Sequence, residues 1–340
     1  MKGRRIILSV FLALVILMEP YASEAQQQGK LYRIGYLAIS PGDYEIDPRN
    51  CPTVGTSYWQ SIIAGLRERG YVQGQNLVLE CRWTEDQDDR ALRLASELVS
   101  FKPDLVMANG TRQVRAVKQA TSTIPIVMFG VIDPVGRGLV PSLAHPGGNV
   151  TGLTDTVAEM EGKRLQLLKE VVPKACRVAI LRRPGLDRDD WARRYLDPAA
   201  QTLGLKLQAY AAEGKELADA FAAMTMAGED ALFVEPTPLY NTGDHPHRIA
   251  ELAARHRLPS IYQDRRFVDA GGLMSYSVEN HAICRRIGFY VDKILNGANP
   301  GDLPVEQPIK FNLIINLKTA EALGLTIPPA LLMRADEVIK

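Results

Sequence analysis

The sequence predicts an α/β protein of two doubly wound parallel-sheet lobes with a ligand cleft between them. Three observations carry that expectation. Short apolar, β-rich runs alternate with stretches whose apolar residues recur at helical spacing, as in a parallel sheet covered by helices on both faces. The cycle of strand, loop and helix starts afresh after residue 154. Between the two cycles lies the stretch 133–154, DPVGRGLVPSLAHPGGNVTGLT. Its glycines permit positive φ and close approach of a ligand, and Pro134, Pro141 and Pro146 exclude it from a helix interior or a ladder. It reads as a structured loop that edges the cleft, followed by a short strand at 149–153 that carries the chain across.

In chain order, the first strand covers 31–39 and a long loop follows at 40–56. Trp59, Ile62, Ile63 and Leu66 make a helical stripe, which Gly70 stops. Residues 76–83 alternate as a strand, 90–100 form a helix, and 104–108 a buried strand. Thr111 is the expected N-cap of the next helix, and a fourth strand spans 124–129. The second cycle reads as helices at 160–171, 191–203, 217–226, 248–256 and 279–295, with strands at 177–181, 205–210, 231–234, 259–262 and 271–276. A strand at 311–316, a short helix at 318–323 and a Pro-Pro turn make the tail.

The 340 residues suffice for two domains. Apolar content of 46%, charge of 23% and a net charge of +1 describe an ordinary globular chain. No basic block offers a nucleic-acid face. Residues 1–25 stand apart. Lys2, Arg4 and Arg5 precede an apolar run at 6–18, too short to cross a bilayer comfortably, and Ser23 and Ala25 supply small residues before a cleavage point. They predict a cleavable signal peptide and an exported mature chain beginning at Gln26. The absence of a cysteine just after the apolar run argues against a lipid anchor.

The four cysteines fit no zinc spacing. In an exported chain disulfides become permissible, and Cys51 with Cys81 is the expected pair. Each is placed beyond the C-terminal end of one of the first two strands, which neighbour each other. Four free thiols are the alternative.

Ligands of open α/β sheets bind beyond the carboxyl ends of the strands. That rule selects Ser40, Asn109, Gly110, Thr111, Gly130, Asp133 and Pro134 in the first lobe. In the second it selects Arg182, Glu235, Thr237, Tyr262, Asp264 and Tyr276, with Tyr210 and Arg183 beside them. Helix N-termini at Thr111 and near Val135 would offer N–H groups to a carboxylate. No G-x-S-x-G elbow, Walker lysine, H-E-x-x-H or G-x-G-x-x-G is present. His245 and His247 flank a proline and read as a helix start. No catalytic residue, metal or cofactor is therefore expected.

Five stretches go further: LRERGYVQGQN at 66–76, QATSTIPIV at 119–127, the 133–152 segment, GGLMSY at 271–276 and IINLKTAEALGLTIP at 314–328. On these the chain resembles the ABC transporter substrate-binding protein family, in its TrpX-like group with a type I periplasmic-binding-protein fold. The resemblance implies a hinge between the lobes, closure on a small organic solute (an amino acid or a carboxylate-bearing aromatic), and delivery by a monomer to an inner-membrane ABC permease. It also implies that the helix at 279–295 returns to the first lobe. Lobe I would then comprise 31–151 plus about 277–303, and lobe II 152–276 plus about 304–340. A sensor that presents its closed form to a membrane receptor is the alternative. Two departures bear on the ligand: the long loop at 42–56, and Arg182-Arg183-Pro184 where relatives often carry Asn-Pro. The arginines favour an acidic ligand, so tryptophan is not carried over.

Overall fold

The computed structural model describes residues 30–39, 51, 57–85, 88–156, 159–184, 194–237, 239–241 and 243–340. The predicted signal segment, Ser40 and the loop at 42–56 apart from Cys51 lie outside the described residues.

Five strands form the first sheet: β1 (Tyr32–Ala38), β2 (Leu77–Trp83), β3 (Leu105–Asn109), β4 (Ile126–Ile132) and β5 (Val150–Thr156). Their order is β2-β1-β3-β4-β5 and every pairing is parallel. Helices α1 (Ser57–Arg67), α2 (Asp88–Ser100) and α3 (Thr111–Ala120) make the crossovers. Side chains alternate between the two faces of a strand, and the cores follow suit. Ile34, Tyr36, Leu105, Met107, Val127 and Phe129 pack against Trp59, Ile62 and Leu66 of α1. Leu37, Val106, Ala108 and Met128 point the other way, onto Leu94, Leu98 and Val114.

The second sheet has seven strands: β6 (Arg177–Arg182), β7 (Lys206–Ala211), β8 (Ala231–Val234), β9 (Ser260–Tyr262), β10 (Met274–Val278), β11 (Phe311–Asn316) and β12 (Glu337–Ile339). Its order is β12-β11-β10-β9-β8-β6-β7. From β7 to β10 this repeats the topology of the first sheet; β11 then runs antiparallel to β10. Around it lie α4 (Glu159–Val171), α5 (Asp197–Leu203), α6 (Glu216–Ala227), α7 (His245–Arg255), α8 (Arg265–Asp269), α10 (Leu317–Ala322) and α11 (Pro329–Leu332). The helix expected at 191–203 is described from Asp197. The strand expected at 271–276 is shifted to Met274–Val278, because the positive φ of Gly271 belongs to the turn before it. Helix α8 and strand β12 are too short for periodicity to reveal.

The late helix α9 (Asn280–Leu295) packs on the first sheet's core, where Ile283, Ile287, Tyr290 and Ile294 meet Ile62 and Leu66. Two glycines allow it. A Cβ on Gly65 would stand 2.1 Å from the Arg285 carbonyl oxygen, and one on Gly288 would stand 2.2 Å from that of Gly65. The backbones of α1 and α9 therefore touch.

The chain passes between the two sheets at three places, after β5, after β10 and through 304–310. The third passage pairs with β5: Thr154 N donates to Glu306 O at 2.9 Å and Glu306 N to Gly152 O at 2.9 Å. Arg286 of α9 grips the Glu306 carboxylate with Nε at 3.0 Å and Nη2 at 2.8 Å. Beside the second passage, Arg164 of α4 donates from Nε to the Tyr276 carbonyl at 2.8 Å and from Nη1 to both oxygens of Glu161, at 2.7 and 2.8 Å. Both side chains of that ion pair are about fully buried, at 2% and 1% exposure.

Cys51 and Cys81 are joined, with Cα atoms 5.1 Å apart. One expectation is corrected: Cys81 lies within β2, in register with Tyr36 of β1, not beyond the strand's end. The bridge closes a loop with a sequence separation of 30. Chain-entropy reasoning gives such a loop about 3–4 kcal/mol of stabilisation. Replacing both cysteines by serine is expected to lower the urea-unfolding free energy by about that amount; an unchanged midpoint would show that the bridge contributes nothing to the fold.

Candidate functional site

Strand order locates the site before any side chain is considered. In a sheet ordered 2-1-3-4-5 the chain turns opposite ways at the first and third strands, leaving a crevice beyond their carboxyl ends. In the first sheet those strands are β1 and β3, and the residues at their ends are Ala38 and Asn109. In the second they are β6 and β8, ending at Arg182 and Val234, with Glu235 next.

At the first edge, Asn109 closes β3 and Gly110 follows with φ of 103°. Thr111 was expected as the helix cap. Gly110 takes that place and Thr111 becomes the first helical residue, because a threonine would be strained at that φ. Gly110 N donates to Phe129 O at 2.9 Å, which fixes the α3 N-terminus at the crevice. Gly130 has φ of 65°, and a Cβ there would lie 2.2 Å from Asn109 Oδ1. Glycine thus lets the Asn109 amide lie against β4. Burial pushes the Tyr36 hydroxyl well above its ordinary range, and the Asn109 amide opposes that shift. Beneath this edge Tyr36 stacks on Trp59 with centroids 5.0 Å apart and meets Trp83 edge-on at 5.5 Å.

Asp133 has φ of 50° and heads a turn. Its Oδ1 accepts from Gly136 N at 2.8 Å and its carbonyl from Arg137 N at 3.1 Å. The helix expected near Val135 is absent: residues 134–138 are a turn in which the N–H groups of Gly136, Arg137 and Gly138 are engaged locally. Pro134 is buried beneath that turn, its carbonyl accepting from Leu139 N at 2.9 Å.

At the second edge, register aligns four residues. Leu181 pairs with Val234, Phe233 with Ile261, and Tyr262 with Ser275. One position further, Arg182, Glu235, Gln263 and Tyr276 make a row on one face. Ile180, Phe233, Ile261 and Met274, two residues earlier in each strand, pack together on that face. Glu235 is buried and its N–H donates to Leu181 O at 2.9 Å; Thr237 is buried just beyond. Tyr276 packs against both the first and the second core, its ring 5.8 Å from Phe311. Gln263 Nε2 donates to Asn241 Oδ1 at 2.9 Å.

Three selected residues have other roles. Tyr262 points to the opposite face, is fully buried, stacks on Phe267 at 4.6 Å and accepts from Ser260 Oγ at 2.7 Å; it is a core ring. Tyr210 donates to Glu229 Oε1 at 3.0 Å. Arg183 lies 3.7 Å from Glu213, which answers its charge at the sheet edge.

Among the described residues, side-chain hydrogen bonds join the two edges at two points. Tyr195, just before α5, donates to Asp133 Oδ2 at 2.5 Å, with Arg194 Nη1 at 3.3 Å from the same oxygen. Tyr58 of α1 donates to Asp264 Oδ2 at 3.0 Å, under the guanidinium of Arg266, 5.2 Å from its ring. Asp264 is the N-cap of α8 and nearly fully buried. Sequence reasoning selected both aspartates and neither tyrosine. The loop rule places only strand ends, whereas Tyr58 and Tyr195 come from a helix and a pre-helical segment.

Among the described residues no group of three or more His, Cys, Asp or Glu is arranged to hold a metal, and no helix is long and apolar enough to cross a membrane.

A sequence profile for ABC transporter substrate binding proteins matches residues 56–339. A tyrosine-binding protein of Clostridioides difficile (strain R20291) is 28% identical over 267 residues, covering 78% of this chain and 76% of its own. A complex with L-Trp from Streptococcus pneumonia is 25% identical with a TM-score of 0.78, covering 91% of this chain and all of the other. A conserved domain protein from Vibrio cholerae is 27% identical with a TM-score of 0.80, over the same shares of the two chains. Solute-binding proteins at 11% and 14% identity share the fold, with TM-scores of 0.58.

Proposed function

We infer from one premise, that the chain belongs to the ABC transporter substrate binding protein family, that it captures an aromatic amino acid between its two sheets for import. Family membership makes it a binding protein, not an enzyme. The observation that carries the ligand class is its likeness to a tyrosine-binding protein and to a protein solved with L-Trp.

The geometry supports a division of labour between the edges. The ligand carboxylate belongs at the α3 N-terminus, where Asn109, Gly110, Thr111 and Gly130 present a helix start to the crevice. Arg182, Glu235, Thr237 and Tyr276 face it from the second sheet, with Glu235 suited to an ammonium group and Tyr276 to an aromatic ring. The acidic-ligand reading of the double arginine is weakened by the pairing of Arg183 with Glu213.

Residues from 31 through β5, with α9 and the chain to about 303, form one lobe, and the chain after β5 through β10, with about 304–340, forms the other. The packing of α9 on α1 supports that division. Closure about the three passages hands the loaded monomer to an inner-membrane permease. Residues 1–25 direct the chain to the periplasm and are removed there.

Calorimetry and thermal unfolding with L-tryptophan and L-tyrosine test the ligand. Either is expected to raise the melting temperature with concentration, reaching about 2.7 kcal/mol of stabilisation at a hundredfold excess over Kd. Absence of a shift with both would overturn the aromatic reading.

A further inference from the structure

The two contacts across the cleft share one construction. Each has an aspartate at a strand's carboxyl end: Asp133 directly after β4, and Asp264 two residues after β9. In each, one carboxylate oxygen is fixed by a nearby backbone N–H, Gly136 N at 2.8 Å for Asp133 and Arg266 N at 2.9 Å for Asp264. That leaves the second oxygen held outward, where a tyrosine of the opposite unit donates to it, Tyr195 at 2.5 Å and Tyr58 at 3.0 Å. An arginine from the second unit flanks each pair: Arg194 at 3.3 Å from Asp133 Oδ2, and Arg266 at 3.2 Å from Asp264 Oδ2. The direction is reciprocal, since the first unit supplies the carboxylate in one contact and the hydroxyl in the other.

We propose that these two aspartate–tyrosine–arginine contacts are latches that hold the lobes closed without help from the ligand, and so set the fraction of empty protein that is closed. Three features favour a latch over an incidental rim contact. The acceptors are positioned by their own turns before the lobes meet, so little conformational freedom is lost on closing. A hydrogen bond to a charged acceptor is stronger than a neutral one. The Tyr195 hydroxyl is raised above its ordinary pKa, by burial first and then by Asp133, so it remains a donor. Gly136 is part of the device. A Cβ there would stand 2.1 Å from Asp133 Oδ2 and 2.7 Å from Arg194 Nη1, so only glycine leaves room for the contact. A ligand that binds the closed form then meets a population already biased towards it, and its apparent affinity scales with that fraction.

This inference rests on the reading that the two units close as lobes, but it does not depend on which solute binds. The test therefore uses ligand-free protein. Spin labels replace Leu92 on α2 and Met226 on α6, both exposed, in a Cys176→Ser background that removes the exposed free thiol. Pulsed dipolar spectroscopy of the wild-type pair is expected to show a short-distance population without ligand. Tyr58→Phe and Tyr195→Phe, which keep the rings, are each expected to lower the ratio of short to long distances about tenfold. Gly136→Ala reaches the first latch by a separate route and should reproduce the Tyr195→Phe distribution. A wild type with no short-distance population, or variants whose distributions match it, would overturn the proposal. A failure of L-tryptophan and L-tyrosine to bind would leave these distances untouched.

Discussion

Arg164→Met is expected to lower the unfolding free energy by about 3–5 kcal/mol, among the largest effects of any single side chain here. Glu161 and Arg164 are i and i+3 on α4, and both are excluded from water. Removing the guanidinium strands the Glu161 carboxylate in a low-dielectric interior with no counter-charge. It also removes the donor to the Tyr276 carbonyl, at the point where β10 hands the chain to α9. The double replacement Glu161→Leu with Arg164→Met should recover most of the loss, because no buried charge then remains. The shortfall should be about 1 kcal/mol, the usual cost of one unanswered carbonyl. Urea unfolding of the single and double variants measures both numbers. A single variant with an unchanged midpoint would mean that the pair is hydrated in solution and is no fixture of the interior.

Gly288→Val is the second large effect, expected at about 3 kcal/mol or more. Overpacking is often relieved when a neighbouring side chain turns aside. Here the obstacles are the Gly65 carbonyl oxygen at 2.2 Å, its carbon at 2.3 Å and the Leu66 nitrogen at 2.9 Å, all main chain. Relief requires α9 to move away from α1, which loosens Ile283, Ile287 and Tyr290 from the first core. Gly148→Ala is the control: nothing lies within 4 Å of its added carbon, and a change within about 0.5 kcal/mol is expected by the usual behaviour of open surface sites. Equal destabilisation of the two variants in urea would remove the contact between helices as the cause.

The contrast between these residues explains what the sequence disclosed. Strands such as β3 and β4 are continuous apolar runs bounded by turn residues, so their place and type were legible from period and punctuation alone. The strand-end rule picked Asn109, Gly110, Gly130 and Glu235, and the structure places these at or near the carboxyl ends of β3, β4 and β8. It over-reached at Tyr262, because alternate residues of a strand face opposite ways and the rule does not say which face opens on the crevice. It was silent on Tyr58, Tyr195 and Arg164. Each of these acts through a partner 62 to 206 positions away, or 112 in the case of Arg164, and a single sequence carries no mark of such pairing. Gly65 and Gly288 were equally silent: a glycine inside a helical stripe looks like a weak helix residue until the second helix is seen to touch it.

The contact of α9 with α1 has a consequence for how the nascent chain matures. Strands β1 to β5 have all been made once Thr156 is synthesised, yet one face of their core includes Ile283, Ile287, Tyr290 and Ile294. That face stays open until about 140 more residues have been added, and closing so long a loop is entropically slow. The amino-terminal half therefore cannot complete its fold while the rest is still being translated. A polypeptide built this way stays unfinished, and threadable, until nearly its whole length exists.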